Sequence, residues 1–215
     1  DWLEDARRYY TNIVGKYGAP VQALLKKASK LDIRMVCPLH GPVWRSNLGW
    51  FIEKYDLWSR YVPEEKGVLI AYASMYGNTE AAAQALAAKL CEKGMANVAV
   101  YDVSNTHVSQ LIAETFRFSH IVLASVTYNM EIYPVMHSYL NDMKGLNVQN
   151  RTVAIIENGT WACKSGELMA RFVQEELKGM KVLEEKMTLC STLKEEQADG
   201  LEALADRLIA SMQEA

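Results

Sequence analysis

The segment ASMYGNTE at residues 73–80 has the composition of an anion-binding turn. It stands between an apolar run and an alanine-rich segment, which predicts a turn from a buried strand into a helix. At such a turn the backbone N–H groups and the positive end of the helix dipole favour an anion. Ser74, Asn78 and Thr79 add short donors, and Gly77 permits a backbone conformation that most residues avoid. We predict a phosphate site here.

The chemistry of the turn narrows the kind of phosphate that it can hold. A Walker-type loop requires G-K-[ST] to meet a triphosphate and its magnesium, and a dinucleotide fingerprint requires the three glycines of G-x-G-x-x-G. The segment contains neither pattern and no lysine. A terminal phosphomonoester held by neutral donors therefore fits it best. The competing interpretation is that Thr79 serves only as a helix N-cap in an ordinary polar turn.

Two further segments carry aromatic and amide side chains at the ends of apolar runs. The run at residues 120–126 is followed by the segment TYNMEIYP. The run at 151–157 continues into the segment ENGTWACKSG. In a parallel sheet ordered 2-1-3-4-5, both segments lie at the edge that holds the phosphate turn, where ligands bind. Flat rings beside amides suit a planar heteroaromatic ligand with polar edges. A phosphate site with aromatic walls predicts flavin mononucleotide (FMN).

The predicted FMN-binding residues come from these three segments. They are Ser74, Met75, Tyr76, Gly77, Asn78 and Thr79 from the first, Thr127, Tyr128 and Asn129 from the second, and Asn158, Gly159, Thr160 and Trp161 from the third. The alternative for the rings of Tyr128 and Trp161 is ordinary loop packing. That alternative is weaker when the three segments are considered together.

Short apolar runs alternate with helical patterns from Gly67 onward. The runs predict strands at 67–73, 97–103, 120–126, 151–157 and 181–190, most of them apolar enough to be buried on both faces. Helices are predicted at 79–93, 107–116, 134–144, 166–178 and 194–212. The alternation predicts an α/β domain, doubly wound around a five-stranded parallel sheet with right-handed crossovers.

Residues 1–62 do not follow this alternation. They predict amphipathic helices at 1–18 and 20–31, a strand ending in a loop at 32–44, and an aromatic-rich helix at 47–61. A segment of this size buries only a modest core, so we interpret it as the tail of something larger. Proline and charge in VPEEKG predict a linker, which divides the chain into residues 1–62 and 63–215.

Composition argues against several classes of protein. The net charge is −3 and no basic stripe appears, so nucleic acid is not an expected partner. The longest apolar runs are too short to span a bilayer, so no membrane segment is expected. The cysteines are widely spaced and form no C-x-x-C pair, which predicts thiols in a reducing compartment, the cytoplasm; they are Cys37, Cys91, Cys163 and Cys190.

Several of these segments resemble a known family. SMYGNTE, TYN and NGTWA are similar to the flavin loops of flavodoxin-like domains, and the first is close to the form found in flavodiiron proteins. CPLHGPVWR resembles the end of that family's metallo-β-lactamase-like domain, and GWFIEKYDLWSRY resembles the segment joining the two domains. The resemblance implies a flavodoxin-like domain over 63–215, preceded by a mostly helical remnant of the metallo-β-lactamase-like domain.

The resemblance also implies a metal-ligating role for His40. By itself, one histidine in a loop is a structural residue, because a metal site needs several ligands. In flavodiiron proteins the histidine of the P-x-H-G-P segment is the last diiron ligand, and this role carries over to His40. The upstream H-x-E-x-D-H cluster is missing from the sequence. We therefore expect this chain to bind FMN but no iron, the diiron centre belonging to the complete protein.

The resemblance implies an activity and partners for that complete protein. In flavodiiron proteins, reduced FMN passes electrons to a diiron centre that reduces dioxygen or nitric oxide, and the subunits pair head to tail. A head-to-tail homodimer is thus implied here. No rubredoxin-like C-x-x-C pair follows the flavodoxin region. The implied electron donor is therefore external, such as rubredoxin or another reduced carrier.

Two other functions stay open at this point. The chain could be a stand-alone flavodoxin-type electron carrier in which residues 1–62 form an interaction arm. It could also be a flavin-dependent NAD(P)H:quinone reductase, a class that needs no separate fold for the nicotinamide. Metal-ligand motifs upstream in the reading frame would reject the first alternative, and rapid anaerobic bleaching of the flavin by NAD(P)H would support the second.

Overall fold

The protein is built around one parallel β-sheet. The structure, a computed structural model, describes residues 2–214. Its strands are β1 (Glu65–Ala73), β2 (Val98–Asp102), β3 (Phe118–Tyr128), β4 (Glu131–Ile132), β5 (Thr152–Asn158) and β6 (Lys181–Leu189). Every pairing among β1, β2, β3, β5 and β6 is parallel, and the order across the sheet is β2-β1-β3-β5-β6. The predicted five-stranded order 2-1-3-4-5 is confirmed, since β4 only adds a short antiparallel hairpin to β3.

Helices cover both faces of the sheet. They are α4 (Asn78–Glu92), α5 (Val108–Arg117), α6 (Pro134–Gly145), α7 (Ser165–Glu176) and α8 (Ala198–Gln213), with a short 3-10 turn at Glu195–Gln197. Alternate residues of β1 face opposite ways: Ile70 packs with α4 and α8, whereas Ala71 packs with α5, α6 and α7. Two apolar layers are therefore buried, as continuous apolar strands predict.

The N-terminal segment is mostly helical, as predicted. It contains α1 (Trp2–Ile13), a 3-10 turn (Gly15–Tyr17), α2 (Gly18–Ala28) and α3 (Leu48–Ser59). The strand predicted at 32–44 is wrong, because Val36 pairs only with Trp44 in an isolated antiparallel bridge. A β-strand needs an adjacent strand to satisfy its backbone groups, and no other described strand lies beside this segment.

Helix α1 lies between α3 and α5. On one side the ring of Tyr10 packs against Trp58 of α3, with the ring centroids 5.2 Å apart. On the other side Arg8 Nε donates to Ser109 Oγ at 2.7 Å, and Asn12 Nδ2 donates to the Ser109 carbonyl at 3.0 Å. The N-terminal segment therefore packs directly on the sheet domain.

The segment predicted to be a linker takes part in this packing. Strand β1 begins at Glu65, and the side chain of the preceding Glu64 is only 1% exposed. Its carboxylate pairs with Arg7, accepts from Trp58 Nε1 at 2.5 Å and lies 3.2 Å from Lys54 Nζ. The sequence does not reveal these contacts, because Arg7 is distant along the chain and the orientation of α3 is not encoded locally; the division at residues 62 and 63 stays a prediction.

A buried arginine joins the N-terminal segment to the sheet domain. Arg151, just before β5, is 2% exposed, and burial lowers the pKa of its guanidinium. It donates to the carbonyl of Tyr61 at 2.7 Å and to those of Thr115 and Phe116, at the end of α5, at 2.9 and 2.7 Å. One side chain thus satisfies backbone oxygens from both parts of the chain.

No helix within residues 2–214 combines the length and apolar character needed to cross a bilayer.

Candidate functional site

A cleft of about 410 Å³ opens at the carboxyl edge of the sheet, where the loops after β1, β3, β5 and β6 meet. Every predicted cofactor-binding residue except Gly77 lines it. Four further lining residues were not predicted from the sequence; they are Val126, Met130, Ala162 and Ser191. A signal for Ser191 did exist: β6 is parallel to its one neighbour, β5, so its end must lie on the same edge.

The phosphate turn has the geometry of an anion site. Gly77 has φ of +86°, in the left-handed region, and α4 begins at the next residue. The first N–H groups of a helix have no carbonyl partner within the helix, and Gly77 offers no side chain to cap them. Ser74 Oγ accepts from the Gly77 N–H at 3.1 Å, which holds the turn closed. The free donors of Asn78 and Thr79 therefore remain available to an anion.

The second loop is a tight β-hairpin. Tyr128 pairs with Glu131 across it, and the two residues between them, Asn129 and Met130, have φ of +49° and +66°. Two consecutive left-handed residues are typical of a type I′ turn. Methionine is uncommon in this region, and such strain is often found at functional sites. The hairpin projects Tyr128 and Met130 beside the cleft, where both are exposed.

Thr127 connects the second and third loops. Its Oγ1 accepts from the backbone N–H groups of Lys164 and Ser165 at 3.0 and 3.1 Å, at the start of α7. This side chain therefore caps a helix, and its main contribution to the cleft is to hold the two loops together.

Asn158 connects three of the four loops. Its Nδ2 donates to Thr79 Oγ1 at 3.3 Å and to the Ser191 carbonyl at 2.8 Å, and its Oδ1 accepts from the Ser191 N–H at 3.0 Å. The side chain is buried, and protein groups use both of its amide protons. Asn158 thus positions the phosphate turn and the loop after β6.

The third loop presents an aromatic ring to solvent. Trp161 is 99% exposed, whereas most tryptophans in folded proteins are largely buried. The Gly159 N–H, which could have served a ligand, donates to the Leu189 carbonyl at 3.2 Å. Tyr76 on the first loop is also highly exposed. The cleft is therefore bordered by rings that contact little of the protein itself.

A buried carboxylate supports the third loop from below. Glu157 accepts from the Gly166 N–H at 2.9 Å and from Thr188 Oγ1 at 2.8 Å, and it pairs with Lys186 at 2.5 Å. Burial alone would raise the pKa of Glu157, but these hydrogen bonds and the lysine outweigh it and lower the pKa. The ionised form is therefore favoured in the folded state.

We expect Glu157→Gln to destabilise the protein in a pH-dependent way. A carboxyl whose pKa is lowered by folding stabilises above its unfolded pKa of about 4.5 and loses that contribution as pH falls through the folded pKa. Urea unfolding of both proteins should show a stability gap at neutral pH that narrows below this range. Glu175→Gln, an exposed change on α7, is the control. A gap independent of pH would contradict the assignment.

The donor set fits FMN. The phosphate turn offers backbone and hydroxyl donors to the cleft, exposed rings border it, and none of its lining residues is lysine or arginine. Neutral donors at a helix N-terminus suit a terminal phosphate, and the rings suit a planar heterocycle.

The described residues do not form a diiron centre. His40 is exposed, and its ring lies 5.3 Å from that of Tyr9. Within residues 2–214, no three His, Cys, Asp or Glu side chains come together as a metal site would require. Asp5 lines the same cavity as His40, but within residues 2–214 neither belongs to a group of three candidate ligands, and the metal-ligating role of His40 stays a prediction.

The fold and the cleft are those of a flavodoxin-like domain. The family described as "Flavodoxin" matches residues 70–203, and the chain belongs to that family, which implies FMN as the cofactor.

Relatives extend the similarity beyond this domain. The chain is 30% identical over 162 residues to the anaerobic nitric oxide reductase flavorubredoxin of Vibrio vulnificus, covering 74% of this chain and 33% of that protein. It is 29% identical over 182 residues to the nitric oxide reductase of Moorella thermoacetica, covering 84% of this chain and 44% of that protein. The chain therefore spans a third to a half of the length of these relatives.

Solved structures share the fold over nearly the whole chain. The flavodiiron protein of Giardia intestinalis has a TM-score of 0.88 at 23% identity, covering 99% of this chain and 53% of that one. Rubredoxin oxygen:oxidoreductase of Desulfovibrio gigas has a TM-score of 0.86 at 23% identity, covering 96% and 52%. The resemblance to flavodiiron proteins stated from the sequence is confirmed.

Proposed function

We propose that the chain is the FMN-binding electron-transfer module of a flavodiiron oxygen or nitric oxide reductase. The observation that carries the proposal is the meeting of a neutral phosphate turn and two aromatic loops at the carboxyl edge of one sheet. The similarity to nitric oxide reductases supports the choice of reaction class. The complete protein would accept electrons from an external donor, such as rubredoxin or another reduced carrier.

The residues of this chain would bind and orient the flavin. Bound FMN supplies the redox chemistry, while the protein sets its position and surroundings. The free N–H groups at the start of α4 and the Ser74 hydroxyl hold the phosphate end. Tyr128 and Trp161 border the ring end, where they limit the access of water.

The diiron centre would draw most of its ligands from outside this chain, with His40 as one of them. We propose the head-to-tail homodimer for the complete protein, since the FMN cleft and His40 lie on different parts of the subunit. The cytoplasmic location suggested by cysteine spacing remains part of this proposal.

Cofactor analysis tests the central assignment. The purified chain should release FMN on denaturation, and the apoprotein should take up about one FMN per chain. The absence of flavin after both steps would refute the assignment. Elemental analysis of the same sample should show no stoichiometric iron, and anaerobic NAD(P)H should not bleach the flavin rapidly. Rapid bleaching would favour the quinone reductase instead.

Replacing Trp161 with alanine is expected to change the flavin and leave the fold intact. Because the side chain is almost fully exposed, the loss should alter the free energy of unfolding of the apoprotein by less than about 0.5 kcal/mol. A ring that borders the flavin should nevertheless shift its absorption spectrum and reduction potential. Trp161→Phe, which keeps a ring, should shift them less. An unchanged spectrum in the alanine variant would remove Trp161 from the site.

A further inference from the structure

We infer that Ser191, on the loop after β6, binds the phosphate end of the flavin and helps the site to select FMN over unphosphorylated riboflavin. The inference rests on the proposed function and assigns to the flavin a contact outside the loops after β1, β3 and β5. Ser191 lines the cleft and is exposed.

The position of Ser191 places it at the phosphate end of the cleft. Its Oγ lies 3.3 Å from Nδ2 of Asn78, the first residue of α4. The N–H groups that open α4 converge on the same region. The Ser191 hydroxyl therefore lies on the side of the cleft where the phosphate is expected.

The backbone of Ser191 is held from both sides by one side chain. Asn158 accepts from its N–H at 3.0 Å and donates to its carbonyl at 2.8 Å. These bonds accompany a φ of +71°, a conformation that serine seldom adopts. The same Asn158 also contacts Thr79 of the phosphate turn at 3.3 Å. The loop after β6 and the phosphate turn are thereby fixed relative to each other, which pre-orders the hydroxyl.

The Ser191 hydroxyl has an unused proton. It accepts a hydrogen bond from Asn78 and donates to no residue in the described part of the chain. The neighbouring Thr192 differs, because its hydroxyl donates to Asn78 Oδ1 at 2.9 Å. A hydroxyl carries one donor, so Thr192 has spent its donor and Ser191 has not. In a site without lysine or arginine, one more neutral donor matters for binding a charged phosphate.

Titration of the apoprotein with FMN and with riboflavin tests the inference, using quenching of flavin fluorescence as the readout. Ser191→Ala is expected to weaken FMN binding by about 10-fold, the loss of one hydrogen bond to a charged group, and riboflavin binding by less than about 2-fold. Thr192→Val, which removes a contact to Asn78 but no free donor, is the matched control and should change FMN binding less.

Three results of these titrations would overturn the inference. They are an equal loss of affinity for FMN and riboflavin in Ser191→Ala, no loss of affinity for either flavin, and the same loss of FMN affinity in Thr192→Val. Ser191→Gly provides a check on folding, because glycine accepts the left-handed backbone while also lacking the hydroxyl. It should lose the same selectivity as the alanine variant, and retained selectivity would overturn the inference. Failure of the unaltered protein to bind either flavin would overturn the cofactor assignment itself.

Discussion

Replacing Gly77 with valine is expected to weaken FMN binding by about 100-fold or more. Gly77 has φ of +86°, and a β-branched residue in that region is strained by more than the roughly 1–2 kcal/mol of an ordinary residue. The chain can relieve the strain only by moving the turn. That movement displaces the N–H groups of Asn78 and Thr79 from the phosphate. Fluorescence titration of the apoprotein measures the change.

Gly94 supplies a matched control for this experiment. It also has φ of +86°, and in both glycines an added Cβ meets no atom within 4 Å. Gly94 lies just beyond the other end of α4, away from the cleft. Gly94→Val should therefore lower the stability by a similar amount without weakening the binding of FMN. Equal losses of affinity in both variants would show that the effect is one of general stability.

Replacing Arg151 with methionine is expected to lower the free energy of unfolding by about 3–5 kcal/mol. The methionine fills much of the space but donates no hydrogen bonds. Buried carbonyl oxygens of Tyr61, Thr115 and Phe116 would then lose a donor, each at a cost of about 1–3 kcal/mol. Urea unfolding of the apoprotein, followed by far-UV circular dichroism, measures the loss.

Arg171→Met on the exposed face of α7 is the control for the loss of a positive charge, with an expected change within about 0.5 kcal/mol. Arg151→Lys should recover only part of the stability, because an ammonium cannot reach as many carbonyls as the planar guanidinium. A loss below about 1 kcal/mol in Arg151→Met would mean that water replaces the guanidinium as donor.

The sheet was predictable because its determinants are local. Apolar runs such as 67–73 and 120–126 are continuous, and the helical patterns between them allow only parallel crossovers. The first three loops of the cleft were predictable for the same reason, since each follows directly from such a run. Because ligands bind at the carboxyl edge of such a sheet, Ser74, Tyr128 and Trp161 could be predicted to lie close together.

The remaining features depend on contacts between distant residues. The role of Glu64 is set by Arg7, 57 residues earlier, so its local sequence reads as a linker. Ser191 depends on Asn158, 33 residues earlier, and stands in a polar loop without a motif. The apolar pattern at 32–44 is typical of a strand. In the described structure, however, its only β-pairing is the isolated bridge between Val36 and Trp44. No periodicity in the sequence reveals such pairings.

The position of α1 between two helices has a consequence for the order of events during synthesis. The ring of Tyr10 can pack against those of Tyr55 and Trp58 as soon as α3 has been synthesised. Its sheet-side partner Ser109 follows Arg8 by 101 residues, which takes about 5–20 s at about 5–20 residues per second. The aromatic cluster can therefore assemble early, while one side of α1 remains uncovered on the ribosome. Docking onto α5 is the later step, and a chaperone that binds α1 would have to leave before it.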